Sequence, residues 1–415
     1  MMAGSATAQM YEYRARDARG KVVKGRIEAG SESAVLARLT TMGVAPLGIR
    51  EVGAGTGLQT EITIPGLERG VGLKDLAIMS RQMSTMISAG LSILQTLNIL
   101  ATQTENKKLA KTLNDVRSDV ETGHSLSDSF ARHERVFPPL MINLIRAGET
   151  GGFLEKSMDA IAMNFEKEVK LRDKVKAALT YPVIVLIMAI LGVALMLIFI
   201  VPVFAKMYGD LGSELPLPTQ FLVGLSAAMV WLAPLTAVVI VAAAVWWGRN
   251  KHKESVRNFV DPLKLKAPVF GALSAKIAIA RFARNFSTMI GSGVPILRSL
   301  SIVGETSGNM VIEKALLRVQ DSVRTGGTIA GPLMTEPVFP SMVTQMMAVG
   351  EDAGALEPML EKIAVFYDSE VESMTDQLTA LIEPLMIAFL GIVIGGMIVA
   401  LYMPMFGIIA EVQNG

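Results

Sequence analysis

The sequence predicts a mainly α-helical, polytopic membrane protein. It has two homologous cytoplasmic helical bundles, three transmembrane helices and a small N-terminal α/β module of ββαβ order. Three observations predict this class: three long uncharged apolar stretches, a tandem repeat covering most of the 415 residues, and a helical period of apolar residues inside each copy. The composition agrees: 51% of the chain is apolar and 19% charged, with a mean hydropathy of +0.44. Aromatics are only 6% against 26 Met, a balance that suits lipid-facing helices better than aromatic-lined enzyme pockets. The 39 basic and 38 acidic residues nearly cancel, which argues against a nucleic-acid partner of the basic-patch kind. No cysteine is present, which excludes disulfides, thiolate metal sites and cysteine nucleophiles. His124, His133 and His252 are too few for a histidine-rich metal centre, and no cofactor is expected. Residues 1–10 lack the basic and apolar regions of a cleavable signal peptide.

The spans come first. Residues 177–205, 215–248 and 384–410 carry no charge over 29, 34 and 27 residues. About 20 helical residues cross a hydrocarbon core of about 30 Å, so each stretch is long enough. In the second, Pro216, Pro218, Thr219 and Gln220 read as the lead-in, and Pro234 predicts a kink. Trp246 and Trp247 beside Arg249 read as an interface belt. Lys167, Lys170, Arg172, Lys174 and Lys176 precede the first span, and Arg249, Lys251, Lys253 and Arg257 follow the second. The loop between those spans holds a single basic residue, Lys206. Basic flanks face the cytoplasm, so the expected topology is N-in and C-out.

The duplication organises the rest. Residues 137–204 match 339–406 at an offset of 202 with 17 identities in 68, and 81–94 match 284–297 at an offset of 203 with 8 in 14. The identities fall on Gly, Pro and Glu punctuation as well as on apolar positions. Each copy reads as a soluble helical unit followed by a membrane helix, with the second span an unduplicated return crossing. Leu73, Leu76, Met79, Met83, Met86 and Ile87 share one helix face, and Leu91, Leu94, Leu97 and Leu100 form the next after Gly90. A polar helix over 106–121 stops at Gly123. Short helices with short connections predict an antiparallel bundle, whose last helix, 154–176, runs on into the membrane.

At the N-terminus, alternation through Tyr11, Tyr13 and Ala15, a turn at Gly20 and a return over 22–29 predict two strands. A helix capped near Ser31 or Ser33 and a third strand over 44–52 complete the module. Residues 53–72, with six Gly, read as a linker. The resulting boundaries are a module over 1–55, linker 56–72, first bundle 73–176, first span 177–205 and external loop 206–221. The second span (222–248), second bundle (249–376), third span (377–410) and external tail (411–415) follow.

No phosphate loop, HExxH, GxSxG or EF-hand pattern occurs, so no residue is assigned a catalytic, cofactor or metal role. Four features remain. The first is the turn Gly148-Glu149-x-x-Gly152 and its copy Gly350-Glu351-x-x-Gly354, either a cap on the helix that follows or a contact for a partner or divalent cation. The second is the membrane mouth: Pro182, Glu383 and Pro384, with an ionisable Glu383 where the first copy has Tyr181. The third is the small-residue face of Gly391 and Gly395, suited to close helix packing against another span or another subunit. The fourth is charge division. Residues 325–383 hold 1 basic and 10 acidic residues, whereas 249–324 hold 13 and 5. Asp368, Glu370, Glu372 and Asp376 on the pre-membrane helix are therefore either a solvated face or a dock for a basic partner.

Taken together, the doubled bundle-plus-span, the Phe-Pro before each Gly-Glu-x-x-Gly turn, Ala-Leu-x-x-Pro opening each span and LPLPTQFL at 215–222 resemble the F family of type II secretion. That family includes the inner-membrane platform proteins of type IV pili. The N-terminal Tyr11-Glu-Tyr-x-Ala-x-Asp-x-x-Gly20 is similar to its leading module. The resemblance covers about residues 11–410. It implies a non-catalytic protein of the bacterial cytoplasmic membrane that couples a cytoplasmic hexameric assembly ATPase to insertion and extraction of pilin or pseudopilin subunits. Other inner-membrane assembly proteins and further copies of the chain are the remaining implied partners. Some relatives carry a further cation-binding carboxylate four residues after the turn Glu; Phe153 and Ala355 stand there, so that site is not carried over. A transporter predicts polar groups at mid-span, where few occur, and a membrane-anchored enzyme predicts a cluster of titratable groups, which the sequence does not offer.

Overall fold

The computed structural model describes residues 9–16, 22–29, 32–41, 45–52, 70–210, 215–251, 253–268 and 270–414. The chain divides into two units, Met1–Arg69 and Gly70–Gly415.

In the first unit, β1 (Gln9–Arg16), β2 (Val22–Ala29), α1 (Glu32–Thr41) and β3 (Ala45–Val52) follow in the expected ββαβ order. The sheet is antiparallel with strand order β2-β1-β3. The ladder to β3 slips between Arg14 and Ala15, where β3 offers Pro46, which has no N–H to donate. Val35 and Leu39 of α1 are fully buried and pack on Ala29. The turn at Gly20 and most of the linker, residues 53–69, lie outside the described residues.

The second unit begins with α2 (Leu73–Ser88), α3 (Ile93–Gln103), α4 (Lys107–Glu121), α5 (Leu126–Ala131), α6 (Pro139–Gly151) and α7 (Leu154–Leu195). A π-helical turn, Met196–Ile200, joins α7 to α8 (Val201–Asp210), and α9 (Leu217–Asn250) returns to α10 (Glu254–Lys266). The second copy is α11 (Phe270–Gly291), α12 (Ile296–Thr306), α13 (Met310–Arg324), α14 (Ala330–Met334), α15 (Ser341–Asp352) and α16 (Leu356–Asn414).

Local chemistry sets these boundaries. Ser92 and Gln95 form a capping box at α3, and the Asn106 side chain accepts from the N–H groups of Lys108 and Leu109 at α4. Asn309 does the same for Val311 at α13. The apolar faces read from the sequence are inside: Leu76, Met79, Met83, Leu97 and Leu100 are buried. Leu94 is not; it lies on the outer side of α3 and is 38% exposed. Both copies contribute to one continuous core, which holds the Phe130–Phe137 pair of the first and the cluster of Phe282, Phe286 and Phe339 of the second.

Helices α7 and α16 are each unbroken from bundle to apolar span. At 1.5 Å per residue they are about 63 and 88 Å long. They run parallel. Leu171 and Val175 meet Val371, Met374 and Leu378 at one end, and Leu197 and Val201 meet Met397, Ala400 and Leu401 at the other. Both bundles therefore sit at the same end of the pair. Helix α8 runs to Asp210 and α9 starts at Leu217, so the loop expected over 206–221 is mostly helical; residues 211–214 lie outside the described set. Likewise α16 continues through the expected tail to Asn414. Among the described residues three helices, reaching over Leu154–Gly209, Leu217–Asn250 and Leu356–Pro404, are long and apolar enough to cross a membrane.

Among the described residues α9 joins the other two spans at the end remote from the bundles, whereas α7 and α16 meet at both ends. In α9, Thr219, Leu222 and Ser226 are buried, and every described residue from Val230 to Arg249 except the half-buried Ala233 is exposed. Two hydroxyls explain the meeting point. Pro404 has no N–H for the carbonyl of Ala400, and Thr219 Oγ1 donates to that oxygen at 2.5 Å. The π-helical turn precedes Pro202; there Ser226 Oγ donates to the Leu197 carbonyl, while the N–H of Val201 bonds back to Met196. Tyr208, fully buried, reaches the Leu401 carbonyl at 3.4 Å.

Candidate functional site

The Gly-Glu-x-x-Gly turns are caps, on a different helix from the one the sequence suggests. Glu149 lies in the last turn of α6, and its two carboxylate oxygens accept the N–H groups of Leu126 and Ser127, at 2.7 and 3.0 Å. Those amides open α5, the short helix before α6, not α7 after it. Glu351 repeats the arrangement with Ile329, just before α14, and Ala330, its first residue, again at 2.7 and 3.0 Å. Each oxygen of each carboxylate thereby accepts one backbone donor at a helix N-terminus, where negative charge is favoured.

The flanking glycines have two separate duties. Gly152 and Gly354 adopt left-handed φ of +75° and +61°, and an N–H just beyond each bonds five residues back, Phe153 to Gly148 and Ala355 to Gly350. Gly148 and Gly350 permit close helix crossing. A Cβ on Gly148 would clash with Ser157 Oγ and lie 2.7 Å from Ser157 Cβ, while one on Gly350 would lie 3.0 Å from Met359 Cγ.

The acidic face of α16 is largely paired within the chain. Asp368 pairs with Arg284, Glu372 with Lys174, and Glu370 Oε2 accepts from Lys276 Nζ at 2.7 Å. The expected free dock is thus partly an internal seam, because α16 lies against α11 and α7; Asp376 is exposed. At the seam the Glu168 carboxylate receives Arg281 Nη2 at 2.5 Å, Arg172 Nε at 3.0 Å and Arg284 Nη1 at 3.5 Å. Arg284 is only 5% exposed. One turn away, Asn164 Nδ2 donates to Asn285 Oδ1 at 3.0 Å, and Arg298 Nε donates to Asn143 Oδ1 at 3.1 Å. Burial raises the Asp368 pKa above the usual carboxylate range; the attraction of Arg284 only partly offsets it. In the first copy the matching pair, Arg81 with Glu166 at 2.7 Å, is more open to solvent, and the guanidinium holds the Glu166 carboxyl below its usual range.

A cleft of about 550 Å³ opens along this seam. Lys156 and Lys167 of α7 line one wall, and Glu357, Glu361 and Asp368 of α16 line the other. Ser157 Oγ and Arg284 Nε border it without a hydrogen-bond partner. Among the described residues no group of three or more His, Asp or Glu side chains could hold a metal ion.

At the membrane mouth, Pro182 is buried, whereas Glu383 and Pro384 face outward on α16. Nothing in the chain lies within 4 Å of a Cβ placed on Gly391 or Gly395, so the close approach these glycines allow is not used by another span of the same chain. Sequence reasoning missed the carbonyl caps from Thr219 and Ser226. The signal was present in Pro202 and Pro404, each of which frees a carbonyl in an apolar span.

Comparison with known proteins fits this architecture. The family model described as type II secretion system (T2SS), protein F matches twice, over residues 79–202 and 282–404, and the model of that family's N-terminal domain matches 2–50. The chain belongs to the type II secretion system protein F family. The chain is 44% identical over 410 residues to the type IV pilus assembly protein PilC of Thermus thermophilus, covering 97% of this chain and 99% of the relative. It is 42% identical over 410 residues to the PilC of Myxococcus xanthus, covering 98% and 97%. Type II secretion system protein F of Pseudomonas aeruginosa is 29% identical over 400 residues, covering 96% and 98%. The two family-model matches fall on the two bundle-plus-span copies.

Proposed function

We propose that the chain is the inner-membrane platform of a type IV pilus machine, without catalytic activity of its own. It couples a cytoplasmic hexameric assembly ATPase to the insertion and extraction of pilin subunits. The observation that carries this reading is the unbroken passage of α7 and α16 from soluble bundle to apolar span, in parallel and on the same side. Neither helix is interrupted by a loop between bundle and span, so a displacement of a bundle is passed along a continuous helix into the bilayer. The basic residues flanking the first two spans support placing both bundles in the cytoplasm and the C-terminus outside. The higher identity to pilus assembly relatives favours pilus assembly over the second reading, the same role for pseudopilins in protein secretion.

The test is complementation in a piliated host deleted for its platform gene. The full chain should restore surface filaments and leave exoprotein secretion unchanged. Restored secretion without filaments would transfer the assignment to the secretion machine. Reporter fusions at Gly209 and Gly415 should report the external side, and cytosolic signals at both would overturn the orientation.

A further inference from the structure

The two copies meet through unlike faces, and that leaves two faces unused. The first copy contributes one side of α7, carrying Asn164, Glu168 and Lys174. The second contributes Arg284 and Asn285 of α11 and Glu372 of α16. Under the repeat, the counterparts of the first set are Phe366, Glu370 and Asp376 on α16. The counterparts of the second set are Arg81 and Gln82 on α2, and Lys170 on α7. A two-fold contact would bring these counterparts together as well. Instead Gln82, Lys170 and Asp376 are exposed, and Phe366 is 45% exposed. The seam is heterologous: one socket and one plug are joined within the chain, and one of each is left over.

The leftover faces match chemically. Glu168 against Arg284 becomes Glu370 against Arg81. Lys174 against Glu372 becomes Asp376 against Lys170, with both signs inverted and the attraction retained. Asn164 against Asn285 becomes Phe366 beside Gln82, and the counterpart of Arg281 is Ile78, which is 50% exposed. Two large apolar side chains thus stand in water at the centre of the open faces. The step relating the copies also respects the bilayer, because α7 and α16 are parallel; repeating it keeps every span upright.

We propose that a second copy of this chain seats the Phe366–Asp376 face of its α16 on the α2–α7 face formed by Ile78, Gln82 and Lys170. The contact reproduces between chains the seam that already joins the two bundles within one. Glu370 and Arg81 keep their intrachain partners Lys276 and Glu166, just as Glu168 is shared among three arginines.

The chain has no cysteine, so engineered pairs report cleanly. The full-length chain in native membranes, carrying Gln82→Cys with Phe366→Cys, should give disulfide-linked dimers and larger species on oxidation. Asn164→Cys with Asn285→Cys should close within one chain and serves as the geometric control. Control closure without intermolecular products from the first pair would overturn the proposal. So would either single variant cross-linking to itself as well as the pair does. Added to the Gln82/Phe366 pair, Lys170→Asp or Asp376→Lys should each lower the cross-linked yield about fivefold, the scale of one ion pair. The two together should restore it, and failure to restore it would count equally against the contact.

Discussion

Replacing Glu149 with alanine removes the acceptor for two amides at the start of α5. Each bond is short, at 2.7 and 3.0 Å, part-buried and made to a charged group. A hydrogen bond to a charged group contributes about 1.5–3 kcal/mol net, and loss of a helix N-cap costs about 0.5–2 kcal/mol. The two bonds share one carboxylate and are not additive, so the loss should be about 2–3 kcal/mol. Glutamine keeps one acceptor oxygen but turns an NH2 toward the second amide, and should cost about half as much. Hydrogen–deuterium exchange on the full chain in detergent or nanodiscs reads the effect where it acts. Protection of the amides of Leu126 and Ser127 should fall by about 30- to 150-fold in Glu149→Ala, by the relation of about 1.4 kcal/mol to a factor of ten. Glu351→Ala should do the same at Ile329 and Ala330, to a similar degree, because its two distances are identical to those of Glu149. Unchanged protection in either variant, or copies that differ by more than tenfold, would refute the capping argument.

Other perturbations separate the copies or probe the spans. Gly148→Ala should cost about 2 kcal/mol or more, because its new methyl group meets the Ser157 base; Gly350→Ala should cost less, about 1 kcal/mol, since its contacts with Met359 and the Ala355 carbonyl, at 3.0–3.2 Å, need a shift of only a few tenths of an ångström. Thermal denaturation of the two variants side by side should show that order. Thr219→Val should lower resistance to unfolding in SDS by about 1 kcal/mol, and Pro404→Ala should abolish most of that difference by giving the Ala400 carbonyl its own N–H. For pH, the lowered Glu166 pKa contributes stability that is present above the ordinary carboxylate range and lost as pH falls through the folded value. Glu166→Gln should flatten that acid limb. The raised Asp368 pKa has the opposite sign: stability declines as pH climbs from the ordinary carboxylate range through the folded value, and Asp368→Asn should remove the decline.

Much of the architecture is legible in the residues because it depends on period and punctuation. Uncharged length marks the spans, apolar period marks the faces that Met79, Met83 and Leu97 bury, and Gly90 and Gly123 end helices with φ of +83° and +94°. What the pattern does not carry is the identity of the neighbour. Glu149 looks like a cap, but its amides lie 22 and 23 residues earlier in the chain, and only the fold of α5 beside α6 selects them. Asp368, Glu370 and Glu372 look like one acidic stripe because opposite charges on α11 and α7 are distant in sequence. Exposure at Leu94 is likewise a matter of where the next helix falls, since the apolar run on α3 is wider than the surface it covers.

The attachment of α9 to the other two spans at the far end alone has a mechanical consequence. Two legs, α7 and α16, are held together at both ends, whereas α9 packs on them at the far tip alone, so a sideways push on the foot of α9 changes its splay without breaking the pin. In a bilayer the leaflet on the bundle side would fill the wedge beside α9 with acyl chains, so opening it demands more lipid and closing it expels some. The local packing of the membrane thereby becomes the restoring spring of the frame.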